Sequence, residues 1–205
     1  MGTFFRRVND EISTILYKDP NDPTDTKQIK SDDNFDGNNR YGLEASLNYR
    51  VAKWWRINSS LDFYSQTQKG LVANVQSEVT NQAFNIRVSN SFTATKNLRF
   101  QLFSMFRGAN KSLQFNAKDM WMVNTGASYR VLKGKGTINL NASDIFRTAR
   151  FRFSTETPFT QSGQFRGDSR TVYLGFNYRF GGGKNKAKRR RNRDNNEKRG
   201  GGGFI

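Results

Sequence analysis

The chain has 205 residues and a formal net charge of +17, because 34 Lys and Arg residues face only 17 Asp and Glu residues. It contains neither Cys nor His, which excludes disulfide frameworks, thiolate or imidazole catalysis and imidazole metal ligands. Hydrophobic residues make up 35% of the chain, and 18 of them are Phe. This composition argues against a water-soluble protein with a core rich in Leu, Ile and Val.

The first predicted element is a strand over Thr3 to Lys18, which is rich in β-branched and aromatic residues. Residues 1–6 show neither a charged segment followed by an apolar one nor a small-residue cleavage site. An exported protein needs such a signal, so the sequence is either that of a mature protein or a fragment of a longer chain, and we favour the fragment.

A long polar loop is predicted next, from Asp19 to Asn39, where Pro20, Pro23 and many Asp, Asn and Gly residues oppose a strand. Part of this loop matches the opening of a calcium-binding loop: Asp32, Asn34, Asp36 and Gly37. The expected bidentate carboxylate is missing, because Leu43 stands in its place, and no flanking helices are predicted. We therefore expect a solvated loop without a bound metal ion.

Seven further strands are predicted from alternating apolar and polar residues, since successive side chains of a strand point to opposite faces. The terminal strand is typical: Val172, Leu174, Phe176, Tyr178 and Phe180 share one face. The predicted strands are 40–50, 55–64, 84–92, 98–107, 121–130, 137–146 and 170–180.

The connections between these eight strands alternate in length. Short turns are predicted at 51–54, 95–97 and 133–136, and long polar stretches at 19–39, 65–81, 108–119 and 147–169. Short turns at one end and long loops at the other are typical of an outer-membrane β-barrel, and many aromatic residues lie near the strand ends, where interfacial girdles belong. A soluble all-β domain is the alternative.

The polar faces of the predicted strands carry arginines, which would line the lumen of a barrel. These lumen candidates are Arg56, Arg87, Arg99, Arg107, Arg130 and Arg179. Such a wall favours anionic solutes or acidic plug residues. The alternative is that the arginines pair with Glu44, Asp62 and water and only fill space.

Three segments carry a resemblance to a known family. They are Tyr41 to Arg50 with Lys53-Trp54-Trp55, the segment Gly134 to Phe146 ending in Asn-Ala-Ser-Asp-Ile-Phe, and Asp168 to Gly181. From about Thr3 to Gly181 the chain resembles the C-terminal end of large TonB-dependent-receptor-like outer-membrane barrels of Gram-negative bacteria. The resemblance implies more barrel strands than eight and an N-terminal plug, absent here, through which a TonB-type energy-coupling protein would act.

The resemblance also implies partners and an assembly signal. Outer-membrane lipid and the barrel-insertion machinery are the expected partners, and Tyr178 and Phe180 are the expected internal signal for that machinery. Gly181-Gly182-Gly183 would then release a tail into the periplasm.

The domain organisation expected is thus an all-β, antiparallel transmembrane barrel segment over residues 1–181 and a disordered, basic, Gly-rich tail over residues 182–205. The tail could bind nucleic acid or anionic surfaces, but a solvated periplasmic extension is favoured.

The function expected is ligand uptake by a receptor or transporter of the outer membrane. The alternatives are a soluble basic β-domain that binds nucleic acid, and a self-contained small structural barrel. Nucleic acid is not an expected partner, because the arginines alternate with apolar residues instead of clustering with exposed aromatics. No catalytic constellation is recognised, so neither an enzyme nor a cofactor is expected.

Overall fold

The fold of residues 1–180, which the computed structural model describes, consists almost entirely of β-strands. A single turn of 3-10 helix at Leu132–Gly134 is the exception within these residues. No helix among them is long and apolar enough to cross a membrane. The strands are β1 Gly2–Lys18, β2 Gln28–Ala52, β3 Trp55–Val72, β4 Val75–Thr93, β5 Leu98–Arg107, β6 Asn110–Lys111, β7 Asn116–Ala117, β8 Met120–Val131, β9 Gly136–Ala142, β10 Phe151–Thr155, β11 Gln161–Phe165 and β12 Val172–Tyr178.

Eight of these strands form one antiparallel sheet, in the order β1-β2-β3-β4-β5-β8-β9-β12. Of these eight strands, those that follow one another along the chain are therefore neighbours in the sheet, as the predicted hairpins require. β1 and β12 are the two edges of the sheet. The first residue of β1, Gly2, pairs with Glu44, so β1 pairs with residues 28–44 of β2.

One face of this sheet is predominantly apolar, since partners across strands point to the same side and only a few polar residues, such as Ser59, Asn90 and Thr125, interrupt it. The cross-strand sets Leu43–Phe63–Phe84 and Phe92–Phe100–Ala127–Leu140–Leu174 illustrate the pattern. Nothing in the described chain covers this face: Leu47 is 53% exposed and Leu174 is 70% exposed. Near the short turns, Trp54, Trp55 and Phe92 stack with ring centroids about 6 Å apart.

The short turns all lie at one end of the sheet, which we call the turn end, and the polar stretches lie at the opposite, loop end. Two of the predicted loops prove to be largely strand. β2 begins at Gln28, and the supposed loop 65–81 is a hairpin closed by Ala73 and Asn74, both with positive φ. The loop predictions over 28–39 and 65–81 were therefore wrong.

The reason for these errors lies in the chemistry of the extended hairpins. Cross-strand contacts there are polar: Thr67 and Thr80 share a hydroxyl hydrogen bond of 2.9 Å, and Lys69 and Glu78 form an ion pair at 2.9 Å. A strand in contact with polar surroundings on both faces loses the period-2 hydropathy pattern, yet its backbone still forms the ladder. The residues of the supposed calcium loop lie in β2, where Asp32 and Asp36 accept hydrogen bonds from Thr14 and Gln76.

The other two long connections carry a second, four-stranded sheet in the order β11-β10-β7-β6. The β5–β8 connection is anchored to β1 by Gln114, whose buried amide accepts from the Leu16 N–H at 2.8 Å and donates to the Leu16 carbonyl at 2.7 Å. Buried apolar side chains such as Leu16 and Phe35 also lie at this end. The packed core thus lies at the loop end, while the sheet near the turns has no core.

Two strands are also shorter than predicted. β9 ends at Ala142 rather than Phe146, and β12 spans Val172–Tyr178 within the predicted 170–180. The early end of β9 is caused by a turn around Asp144, described below. The predicted tail, residues 182–205, lies outside the described residues.

Candidate functional site

The polar face of the sheet is the wall on which the predicted arginines lie. Its composition follows from the register, because partners across strands share a face. One row runs across seven strands of the sheet, from β2 to β12, near the turn end: Arg50, Arg56, Ser91, Gln101, Gly126, Asn141 and Tyr173. Apart from Tyr173 and Gly126, the row consists of charged or amide and hydroxyl side chains, as expected of a wall that faces water.

All six predicted lumen arginines lie on this wall or, in the case of Arg179, just beyond the end of β12, but their surroundings differ. Arg87 makes an ion pair of 3.8 Å with Asp62, and the Arg107 guanidinium lies 5.7 Å from the Phe151 ring centroid. Within residues 1–180, no ion pair is formed by Arg56, Arg99, Arg130 or Arg179. The backbone N–H of Arg179 donates to the Lys135 carbonyl at 2.8 Å, which fixes it beside the last short turn.

The charges are distributed unevenly along the strands. We define the turn half as the three short connections, the seven strand residues on either side of each, and residues 172–180 beside them, which gives residues 46–61, 87–104, 125–142 and 172–180. This half holds ten basic residues and no acidic one. The basic residues are Arg50, Lys53, Arg56, Arg87, Lys96, Arg99, Arg130, Lys133, Lys135 and Arg179. The rest of the described chain has fifteen basic and fifteen acidic residues, so the turn half carries the whole net charge of residues 1–180.

Four of these basic residues line one depression of about 430 Å³ at the turn end: Arg50, Lys53, Arg56 and Arg99. Arg50 and Arg56 are direct cross-strand partners, and Arg99 pairs with Thr93, two residues nearer the turns than Ser91, the partner of Arg56. The remaining polar lining is neutral, from Asn58, Ser91, Thr93 and Gln101. No carboxylate lines the depression, so every charged group in it is a hydrogen-bond donor.

The turn after β9 is organised by the Asp144 carboxylate, which is only 1% exposed. It accepts hydrogen bonds from the backbone N–H groups of Thr148 at 2.8 Å and Ala149 at 3.0 Å, and from the Ser169 hydroxyl at 2.6 Å. Its own N–H donates to Asn124 Oδ1 at 2.8 Å. Burial would raise the pKa of Asp144, but the hydrogen bonds from Ser169, Thr148 and Ala149 outweigh it and lower that pKa.

The predicted assembly signal lies at the end of the edge strand. Tyr178 is the last residue of β12, and its ring meets that of Phe180 edge to face with centroids 4.6 Å apart. Phe180 is 83% exposed. The pair is therefore accessible at the turn end, next to the free edge of the sheet.

Sequence reasoning missed two members of the basic depression, Arg50 and Lys53. Alternation places Arg50 on the polar face, but its pairing with Arg56 does not follow from the predicted turn 51–54, because a β-bulge between Arg50 and Ala52 shifts the register. The hydrogen bonds between Gln114 and Leu16 could not be inferred, because these two residues are 98 positions apart in the sequence. No group of three or more His, Cys, Asp or Glu residues within residues 1–180 is arranged to hold a metal ion.

Comparison with known proteins gives one match. A family model described as an outer membrane protein beta-barrel family matches residues 1–178. No curated protein and no solved structure matches the chain. The predicted fold class, an antiparallel transmembrane barrel, is confirmed by this match together with the all-antiparallel sheet.

Proposed function

This chain belongs to the outer membrane protein β-barrel family, and we propose that it forms the C-terminal part of a TonB-dependent-receptor-like barrel that takes up a ligand across the outer membrane. Its role is transport rather than catalysis. An N-terminal plug in the complete protein would engage the TonB-type energy-coupling protein, the insertion machinery would recognise Tyr178 and Phe180, and the basic tail would extend into the periplasm.

The observation that carries the proposal is the pair of free sheet edges. Backbone N–H and C=O groups in lipid must all be hydrogen-bonded, because an unsatisfied group there costs several kcal/mol, of the order of the transfer cost of an amide. Within residues 1–180, β12 has no neighbour beyond β9, and β1 has none beyond β2. Further strands of a larger barrel would supply the missing partners.

A self-contained eight-stranded barrel is the second candidate, since all eight long strands already form one sheet. It would require β12 to pair directly with β1. A nucleic-acid-binding role is not proposed, because the chain belongs to an outer-membrane barrel family and the basic residues of the turn half lie on the lumen face or in turns.

Cross-linking across the two edges distinguishes these candidates. The sequence contains no Cys, so a pair can be placed at Phe5 on β1 and Leu174 on β12 of the protein as expressed in outer membranes. A short bis-maleimide should not join this pair, nor the shifted pairs Thr3 with Leu174 and Phe5 with Val172, because other strands separate β1 from β12. Cross-strand partners Ile138 and Phe176 provide the positive control and should be joined. Efficient cross-linking of any β1–β12 pair would overturn the larger barrel in favour of the eight-stranded one.

A further inference from the structure

The positive charges of Arg50, Lys53, Arg56 and Arg99 repel one another in the depression that they line, and a bound anion would relieve this repulsion. Like charges directly opposite each other on neighbouring strands are destabilising, and Arg50 and Arg56 are such a pair. Elsewhere on the wall a carboxylate offsets the charge, as Asp62 does for Arg87. No acidic residue lies anywhere in the turn half, so the described chain offers the depression no compensation.

The donors of the depression determine the chemistry of a suitable occupant. Three guanidinium groups present planar sets of N–H donors that match the oxygens of phosphate and carboxylate groups, and Lys53 adds an ammonium. Ser91 and Thr93 add hydroxyl groups. A single carboxylate would offset one of the four charges, whereas a phosphate group or a pair of them offsets two to four. The site therefore fits a multivalent oxyanion best.

Two other sources of negative charge fit poorly. Lipid headgroups lie outside the barrel, whereas the three arginines are on the polar face, opposite the belt of Leu and Phe side chains. The tail that follows the sheet, residues 181–205, carries nine basic and two acidic residues, so it has the same sign as the depression. The occupant must therefore come from the lumen, either as a separate anion or as acidic residues of a plug, and the multivalent charge of the site favours the separate anion.

We propose that this depression is a binding site for a small phosphate-bearing anion in the lumen, which names the chemical class of ligand for the transport role. This inference rests on the proposed function, because the wall must line an aqueous lumen. The volume of about 430 Å³ lies within the range of roughly 300 to 1,000 Å³ that is usual for small-molecule sites. The position at the turn end makes it a site on the periplasmic side of the lumen, where a ligand that has passed the loop end would be held before release.

The test is titration of the purified full-length protein with pyrophosphate by calorimetry in detergent at fixed ionic strength. The double variant R50Q/R56Q should bind pyrophosphate at least about tenfold more weakly, since each charge-assisted hydrogen bond contributes about 1.5–3 kcal/mol and 1.4 kcal/mol is tenfold. The control K133Q/K135Q removes the same charge from a turn outside the depression and should change the affinity less than about twofold, because exposed charges are screened by salt.

Two results would overturn the site. One is the absence of pyrophosphate binding by the unmodified protein, and the other is an equal loss of affinity in both double variants, which would indicate a diffuse positive field. Folding is checked by heat-modifiable mobility in gels, and R50Q/R56Q should retain it because the substitution removes a repulsion. These outcomes are separable from failure of the proposed function, which the β1–β12 cross-linking tests without any ligand.

Discussion

Replacing Leu47 with arginine is expected to destabilise the membrane-inserted protein by about 2–4 kcal/mol, the usual cost of a guanidinium on the lipid face near the bilayer midplane. Leu47 lies on the uncovered apolar face of β2 and is 53% exposed. The free energy of unfolding from lipid vesicles, measured by denaturant titration, gives the effect.

The matched control is Ser46→Arg, one residue away and on the opposite face. An arginine there would enter the aqueous lumen beside other polar side chains, so we expect a change below about 1 kcal/mol, as for an exposed surface charge. Equal destabilisation by the two variants would contradict the assignment of the faces, since it would mean that both positions meet the same surroundings.

Asp144→Ala is expected to destabilise the β9–β12 region by about 3 kcal/mol or more, because hydrogen bonds to a charged group contribute about 1.5–3 kcal/mol each and several are lost together. The N–H groups of Thr148 and Ala149 and the Ser169 hydroxyl would lose their common acceptor. We expect the loss to appear as protease sensitivity of residues 143–171 and as a lower temperature for loss of heat-modifiable mobility.

The exposed Asp168 provides the control, because Asp168→Ala removes the same charge from the same connection without breaking any of these contacts. The pH dependence has a definite sign. Since the folded pKa of Asp144 is lowered, its stabilisation is fully present above the ordinary carboxyl pKa and is lost as the pH falls through the lowered value. An Asp144→Ala variant that remained as protease-resistant as Asp168→Ala would contradict the role of this carboxylate.

How far the fold could be predicted depended on whether a strand lies against lipid. In the belt, water and lipid meet opposite faces, so the alternation of residues such as Leu98 to Arg107 gave the exact bounds of β5. Beyond the belt both faces are polar, and the hairpin around Ala73 and Asn74 resembled a loop in sequence because its pairs are Thr67 with Thr80 and Lys69 with Glu78. Hydrophobic periodicity reports the surroundings of a strand, not its hydrogen bonds.

The wall of the lumen was predictable in composition but not in detail. Alternation alone places Arg56, Arg87 and Arg99 on one face. It does not show that Arg87 reaches Asp62 while Arg56 faces Arg50, because such distinctions depend on the register of three strands. Likewise the Asn-Ala-Ser-Asp-Ile-Phe segment was recognised as distinctive in sequence. Its turn around one buried carboxylate could not be inferred, because the hydrogen bond from Ser169 to Asp144 joins residues 25 positions apart.

The segregation of charge gives the two ends of the barrel different properties. The loop end holds as many acidic as basic residues, whereas the turn half holds ten basic residues alone. An anion entering from the loop end would therefore move into an increasingly positive lumen, where the low-dielectric wall strengthens the field. This gradient is a property of the sheet itself and does not depend on the residues beyond 180.

Labelling of neighbouring residues is the most direct test of the claim that one face of the sheet lies in lipid and the other in an aqueous lumen. Leu102 and Gln101 on β5 lie at the same depth on opposite faces. Single Cys residues at these positions, in a protein that otherwise has none, are treated with a membrane-impermeant maleimide in isolated outer-membrane fragments. We expect Gln101→Cys to react and Leu102→Cys to react only after denaturation. Equal reaction at both positions in the intact membrane would contradict the claim.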